Sequence, residues 1–306
     1  MRQKNYFRHQ IAPSKMYYLL LSILTSAAIM IIFKLFDRFK INTSDAIVIN
    51  YWVAASLSFG LDASGVSFQG AIHEPWFFHA IFMGILFITL FNIIGISAQK
   101  IGVSVTTVAN KMSLIIPVLF AVIVLNESLN WLKILGIVIA LLAVVLTTNN
   151  SNKQYIDKRY AFFPLIVFAG SGFIDGFFKY NEVYTLGTNG LEPFTGWIFL
   201  TASSIGVFVL MIKFLKTRKL PSYKAAIGGL ALGIPNYFSV YFLLKALSMK
   251  HMESSVVIPI NNMAIVGIGA IAGVFFFREK MSKINIMGIA LCFIAIALIA
   301  FSDQIA

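Results

Sequence analysis

Charged residues are scarce in this chain of 306 residues: 12% are Asp, Glu, Lys or Arg, 59% are hydrophobic, and the mean hydropathy is +0.85. A soluble domain carries roughly a quarter of its residues as charges, so this composition excludes a solvated surface. The sequence therefore predicts an all-α polytopic membrane protein, since a helix satisfies its own backbone groups inside a bilayer.

Cysteine and the common catalytic motifs are also missing. The single cysteine, Cys292, cannot form an intrachain disulfide or a thiolate metal site. There is no phosphate-binding glycine loop and no hydrolase serine motif. HEPWFFH, residues 73–79, is not a zinc motif, because its histidines are not one helical turn apart and Pro75 lies between them. We expect no enzyme activity, no catalytic residue, no metal and no cofactor.

The net charge of +12 has a different origin from that of a nucleic-acid-binding protein. Most basic residues fall in short segments between apolar runs, where they lie beside anionic lipid headgroups. The expected partners are therefore the lipid bilayer and a small solute, not nucleic acid, while the oligomeric state is left open. We expect the basic tail before Met16 to lead into a retained first span and not into a cleaved signal peptide.

Ten apolar segments approach the length of about 20 residues that a helix needs to cross the hydrocarbon core. The second and fifth are the shortest. They are Met16–Phe33, Ala46–Leu61, Trp76–Gln99, Val103–Leu125, Ile134–Thr148, Tyr160–Lys179, Phe194–Ile212, Ala225–Leu244, Ser254–Phe277 and Ile284–Phe301.

The two halves of the chain resemble each other in three stretches that occur in the same order and at nearly the same separation. They align Ser26 with Ser171, Asn110 with Asn261, and Glu127 with Glu279. We divide the chain into a first five-helix repeat with its basic tail (1–148), a linker (149–159) and a second five-helix repeat (160–306). Because five is odd, the second repeat enters the membrane from the opposite side, which gives the inverted repeats typical of transporters.

Each repeat has an acidic loop after its fourth helix, LNESL and FREKM, with a glycine nine residues after its glutamate, Gly136 and Gly288. Together with the ten short-looped spans, these loops resemble the EamA-type drug/metabolite transporter superfamily. The resemblance implies a secondary transporter, and an exporter in the commoner case, in a bacterial inner membrane. Its solute would be an amino acid, a metabolite or a drug-like compound, moved by alternating access. The chain keeps Pro117 in the fourth helix but has Asn50 where the resemblance leads us to expect a basic residue.

Lys111 stands inside an otherwise apolar run. A lysine at the centre of a membrane helix costs about 2.5–3.5 kcal/mol on insertion scales, so it should face the protein interior or a wet cavity, with a partner. Asp175 is the clearest carboxylate within another span and is the expected partner. We interpret the pair as part of a substrate site, the alternative being a structural charge between helices.

Amides form the second group of candidate substrate-binding residues. Asn110 and the pair Asn261 and Asn262 occupy matching places in the fourth and ninth helices, and Asn92 is a weaker candidate on the third. Interhelical hydrogen bonding is the alternative role. Pro259 precedes the asparagine pair and is expected to loosen the ninth helix.

The eighth helix contributes Asn236, Tyr237 and Tyr241 next to Pro235. These side chains suit a polar-aromatic wall of a binding site, although a packing face around a kink is equally compatible with the pattern. Small-residue spacings such as GLALG (229–233) and GFIDG (172–176) indicate close helix packing.

Three questions stay open at this stage. The basic first flank favours cytoplasmic termini, whereas more basic residues lie in the loops on the other side. A membrane-embedded enzyme acting on lipid would use Asp175, His73 and Glu74. A non-transporting membrane subunit would have a sealed interior.

Overall fold

The computed structural model describes residues 13–62, 68–100, 103–127, 129–148, 162–187, 190–248, 254–277 and 282–305. These residues form helices and no strand. The helices are α1 (Pro13–Arg38), α2 (Thr43–Gly60), α3 (Phe77–Lys100), α4 (Val103–Met112), α5 (Ile115–Val124), α6 (Trp131–Thr148), α7 (Phe163–Tyr184), α8 (Leu191–Thr217), α9 (Tyr223–Leu247), α10 (Ser254–Phe277) and α11 (Lys283–Ile305), with a short 3-10 turn at Gly70–His73.

The helices α4 and α5 are two halves of one span, so the described residues contain ten spans. Each span overlaps one of the ten segments predicted from the sequence, and the all-α polytopic fold is confirmed. The fourth span differs from expectation because it is broken. The linker at 149–159 lies outside the described residues, and the division into domains stays a prediction.

Long apolar helices and a lipid-compatible outer surface mark the fold as a membrane protein. Among the residues that the structure describes, four stretches have the length and hydropathy of membrane spans: Met16–Phe33, Phe77–Ile94, Leu191–Thr217 and Tyr223–Leu247. Large apolar side chains are exposed on the outside, among them Ile123, Leu142, Phe208 and Phe293. Such side chains are stable against lipid tails, whereas a water-facing surface of this kind would aggregate.

The contacts between helices repeat themselves across the two halves. The helix α2 packs on α9 as α3 packs on α8, and α1 packs on α9 as α3 packs on α7. Likewise, α1 packs on α10 as α7 packs on α4 and α5, while α6 and α11 pack on each other. In each comparison, every span of one pair lies five places along the chain from its counterpart in the other pair. The two five-helix halves are therefore packed equivalently, and because each half has an odd number of spans, the relation between them is that of inverted repeats.

Polar contacts at the helix ends show how the spans alternate. Near one end of the bundle, Ser58 at the end of α2 bonds Thr195 at the start of α8, and Lys179 in α7 reaches the carbonyl of Leu247 at the end of α9. At the other end, Lys213 of α8 forms an ion pair with Asp45 of α2. We call the first end, where α1 begins, the amino-terminal face, and the second the opposite face.

Glycine sets the distance between α2 and α9. A Cβ added at Gly233 would lie 2.8 Å from the backbone oxygen of Asn50 and 2.6 Å from the Val53 Cβ. Only a residue without a side chain permits this approach, which brings the two backbones together without a hydrophobic driving force. The small-residue spacing in GLALG is thus a packing device.

Replacing Gly233 by Ala should destabilise the protein by about 1–3 kcal/mol, because the added methyl group meets the α2 backbone and cannot be absorbed by a flexible side chain. Gly60→Ala is the matched control, since a Cβ there has nothing within 4 Å. Thermal unfolding of the purified proteins compares the two. An equal effect of both substitutions would contradict the assigned role of Gly233.

Cysteine labelling tests the alternation of the spans. In a Cys292→Ser background, Phe39→Cys and Lys219→Cys should react with an impermeant maleimide from one side of the membrane, and Leu129→Cys from the other. These three residues are exposed and lie in connections after one, seven and four spans. Labelling of all three from the same side would exclude the inverted arrangement.

Candidate functional site

The break in the fourth span has a local cause. Pro117 lacks the N–H that would bond the carbonyl of Ser113, and its ring crowds that carbonyl. The helix therefore stops at Met112 and resumes at Ile115, and the Ser113 carbonyl accepts the Ile116 N–H at 2.9 Å instead. A helix that would cross the membrane without interruption is divided near its middle.

Lys111 lies in the last turn of the first half-helix, α4. The carbonyl end of a helix carries partial negative charge, which favours a cation in this position. The Lys111 Nζ donates to the Asn262 Oδ1 at 3.2 Å. The Asp175 carboxylate of α7 interacts electrostatically with Lys111 and also lies close to the Asn262 side chain. An amide from α10 thus lies beside both of the charges that the sequence analysis paired.

Lys111 and Asn262 are also the repeat mates that the alignment of NKMSLI with NNMAIV pairs. Their contact shows that equivalent positions of the two repeats meet, as they must near the pseudo-twofold axis. Burial differs among the three groups. Asn262 is buried, while Lys111 and Asp175 keep part of their surface exposed. The charged groups are therefore accessible inside an otherwise apolar bundle.

The neighbouring asparagines make equivalent bonds in the two halves. The Asn110 Nδ2 donates to the Ser171 Oγ at 3.0 Å, and the Ser22 Oγ donates to the Asn261 Oδ1 at 3.2 Å. The sequence alignment paired Ser171 with Ser26, whereas the structure gives this role to Ser22, one helical turn earlier. The difference corrects the alignment of the first and sixth spans.

A second amide pair joins α2 to α9. The Asn236 Nδ2 donates to the Asn50 Oδ1 at 3.0 Å, and the Asn50 Nδ2 donates to the Ile47 carbonyl. Ser22 also lies 3.2 Å from the Ser239 carbonyl, so α1, α9 and α10 meet at one hydroxyl. Buried amides and hydroxyls at the bundle centre are thus hydrogen bonded to one another.

Tyr237 and Tyr241 extend the row of polar side chains from Asn50 and Asn236 along α9 toward the amino-terminal face, and we call this row the polar column. Tyr237 is buried and stacks on Tyr241 with ring centroids 5.7 Å apart. One turn further on, the Lys245 Nζ lies 5.4 Å from the centre of the Tyr241 ring and 3.1 Å from the Glu192 Oε1 of α8. Glu192 and Lys245 were not singled out from the sequence, because each stands near a helix end, where charges are ordinary.

Two expectations fit the structure less well. Asn92 is exposed and donates to the Ile88 carbonyl of its own helix at 2.7 Å, and none of the described contacts joins it to the other candidates. The helix α10 runs unbroken through Pro259. Pro259 lies near the start of α10, where the loss of one backbone hydrogen bond does not interrupt the helix. The discontinuous span is the fourth, which contains Pro117.

The residues proposed for lipid chemistry are spread along the bundle. His73 ends the 3-10 turn before α3 and Glu74 follows it, whereas Asp175 lies midway along α7. Within the described ranges, no group of three or more His, Cys, Asp or Glu side chains is placed to hold a metal ion.

Ten apolar spans in two inverted repeats, with a charged and amide-rich centre, define a polytopic membrane protein of the transporter type. The sequence profile of the EamA-like transporter family matches residues 13–149 and 183–301, and the chain belongs to this family. An uncharacterized protein of Haemophilus influenzae is 28% identical over 299 residues, covering 95% of this chain and 99% of the relative. A crystal structure with 13% sequence identity shares the fold, with a TM-score of 0.74 over 95% of this chain and 99% of that chain.

Neutralising one member of the charge pair should destabilise the protein more than removing both. Lys111→Met or Asp175→Leu alone leaves an uncompensated charge. Breaking a buried ion pair in this way lowers the free energy of unfolding by about 3–5 kcal/mol. Because both side chains are partly exposed, we expect a loss of about 3 kcal/mol or less here. The double substitution should recover at least half of that loss. Thermal unfolding in detergent measures all three. Additive losses would show that the two charges do not stabilise each other.

Proposed function

We propose that the protein is a secondary transporter that moves a small organic solute by alternating access, with Lys111, Asn262 and Asp175 in the solute route. The observation that carries the proposal is the break beside Lys111, because discontinuous helices at mid-membrane are where transporters expose backbone and charge to their cargo. Family membership supports the class of function. The partial exposure of both charges supports an accessible centre.

The chemistry of the centre favours a solute that carries both signs of charge. Lys111 offers an ammonium to a carboxylate, Asp175 offers a carboxylate to an ammonium, and Asn262 lies beside both with donor and acceptor atoms. An amino acid has these two groups on one carbon. Other metabolites and drug-like compounds remain within the proposed class, and the proposed direction is export.

The proposed site extends to the remaining candidates. Asn110 and Asn261 flank the charges, while Asn236, Tyr237 and Tyr241 form the wall on α9 that leads toward the amino-terminal face. The pseudo-twofold relation gives each repeat an equivalent set of contacts, so the halves can exchange conformations around the centre.

Cellular placement follows the family resemblance. We propose the bacterial inner membrane, with both termini in the cytoplasm. The basic first flank supports this orientation, while the greater number of basic residues at the opposite face, including Lys216, Arg218 and Lys219, favours the reverse. The cysteine labelling described above distinguishes the two orientations when it is done on right-side-out and inside-out vesicles.

Counterflow in proteoliposomes tests the function. Vesicles that contain the purified protein and one of a panel of unlabelled amino acids should accumulate the same labelled amino acid from outside. Lys111→Met with Asp175→Leu should stay folded and lose at least tenfold in initial rate, because both solute charges lose their partners. Lys216→Met, an exposed lysine at the opposite face, is the matched control and should transport normally.

The result also separates the alternatives. Full activity of the double variant would make the charge pair structural. Absence of counterflow for every amino acid, metabolite and drug-like compound tested would contradict the transporter proposal and favour a non-transporting subunit or an enzyme acting on lipid.

A further inference from the structure

We propose that Glu192 and Tyr241 form a binding site for a primary ammonium group at the amino-terminal face, and that Lys245 occupies this site as an internal ligand. The pair is held on two helices, with Glu192 in the first turn of α8 and Tyr241 and Lys245 on successive turns of α9. As a binding site it stands on its own contacts. As a vestibule of the solute route it rests on the proposed function.

The contacts of the Lys245 ammonium are those of a bound cation. Its Nζ lies 3.1 Å from the Glu192 Oε1 and 5.4 Å from the centre of the Tyr241 ring. A carboxylate at hydrogen-bonding distance and an aromatic face within 6 Å are the two groups that proteins combine to bind ammonium ligands.

Differences in exposure indicate which group can leave. The Lys245 side chain is 30% exposed, whereas that of Glu192 is 16% exposed. Lys245 is thus the more exposed member of the ion pair, and a competing cation can approach it from solvent. The lysine stem is flexible, so its ammonium can move out without displacing either helix.

The position of the site connects it with the bundle centre. Tyr241 stacks on Tyr237, and Asn236 beside Tyr237 bonds Asn50 of α2. An ammonium that displaces Lys245 would therefore sit at the outer end of the polar column that leads inward. The chemical class of the ligand is a primary amine, including the amino group of an amino acid.

Removal of the internal ligand tests the proposal, with ethylammonium as the probe. Lys245→Ala vacates the site, so ethylammonium chloride should raise the unfolding temperature of this variant in detergent, with an apparent affinity at least tenfold higher than for the unmodified protein. Potassium chloride at equal ionic strength should give no such rise. Lys245→Ala combined with Glu192→Gln should lose the response, and Lys245→Ala with Tyr241→Leu should weaken it about threefold to tenfold.

Controls keep the result interpretable. Lys216→Ala removes an exposed lysine from the opposite face and should respond like the unmodified protein. If Lys245→Ala does not fold, Lys245→Met keeps the apolar stem against the Tyr241 ring and is titrated instead. An equal response in the presence and absence of the Glu192 carboxylate, or no response once Lys245 is removed, would overturn the proposal.

The measurement needs no gradient and no solute flux, so it is independent of the transport assay. A protein that binds ethylammonium after Lys245→Ala but shows no counterflow would keep the ammonium site and lose the proposed function. Counterflow without ethylammonium binding would support the proposed function and exclude the ammonium site.

Discussion

The placement of a lysine within the bilayer depends on the interruption of one helix. Without Pro117, the fourth span would continue past Ser113 and its carbonyls would be used within the helix. With it, α4 ends at Met112 and its negative end falls beside Lys111. The amide of Asn262 accepts a hydrogen bond from the ammonium, and the carboxylate of Asp175 attracts it. Each lowers the cost of a charge that lipid alone would not tolerate.

Polar side chains elsewhere in the bundle connect helices that apolar packing would leave free to rotate. Bonds between Asn110 and Ser171, and between Ser22 and Asn261, join α4 to α7 and α1 to α10. Such bonds are worth about 0.6 kcal/mol each in membrane proteins, so their main effect is to fix the register. Glycines also allow the helices to approach closely. A Cβ added at Gly172 would lie 2.8 Å from the Ser113 carbonyl oxygen, at the break in the fourth span.

Composition and hydropathy were sufficient to predict the ten spans, because length and apolar content are what a bilayer requires of any helix. The partnership of Lys111 with Asp175 was also predictable, since few charges lie within spans and each needs a partner. Asn262 was a candidate from the sequence, but its contact with Lys111 could not be predicted, because the alignment relates the two residues in sequence and gives no distance. The ion pair of Glu192 with Lys245 could not be predicted either, because it depends on where α8 and α9 lie close together.

The location of the break was mispredicted for an instructive reason. Both Pro117 and Pro259 occur in spans that carry the candidate asparagines, and the sequence does not distinguish their effects. Pro259 lies in the first two turns of α10, where few backbone bonds precede it, while Pro117 has a full half-helix before it. Pro235 lies midway along α9 and leaves that helix unbroken as well, so neither the presence of a proline nor its central position is sufficient to divide a span.

The contact between Lys111 and Asn262 makes the two repeats chemically unequal where they meet. If the two repeats were identical, the conformation open to one side of the membrane and the twofold-related conformation open to the other side would have the same free energy. Two differences remove that degeneracy: a cation in one repeat faces an amide at the equivalent place in the other, and the carboxylate of Asp175 on α7 has the hydroxyl of Ser26 as its equivalent on α1. Under the proposed alternating access, the empty protein should therefore populate one of the two conformations more than the other.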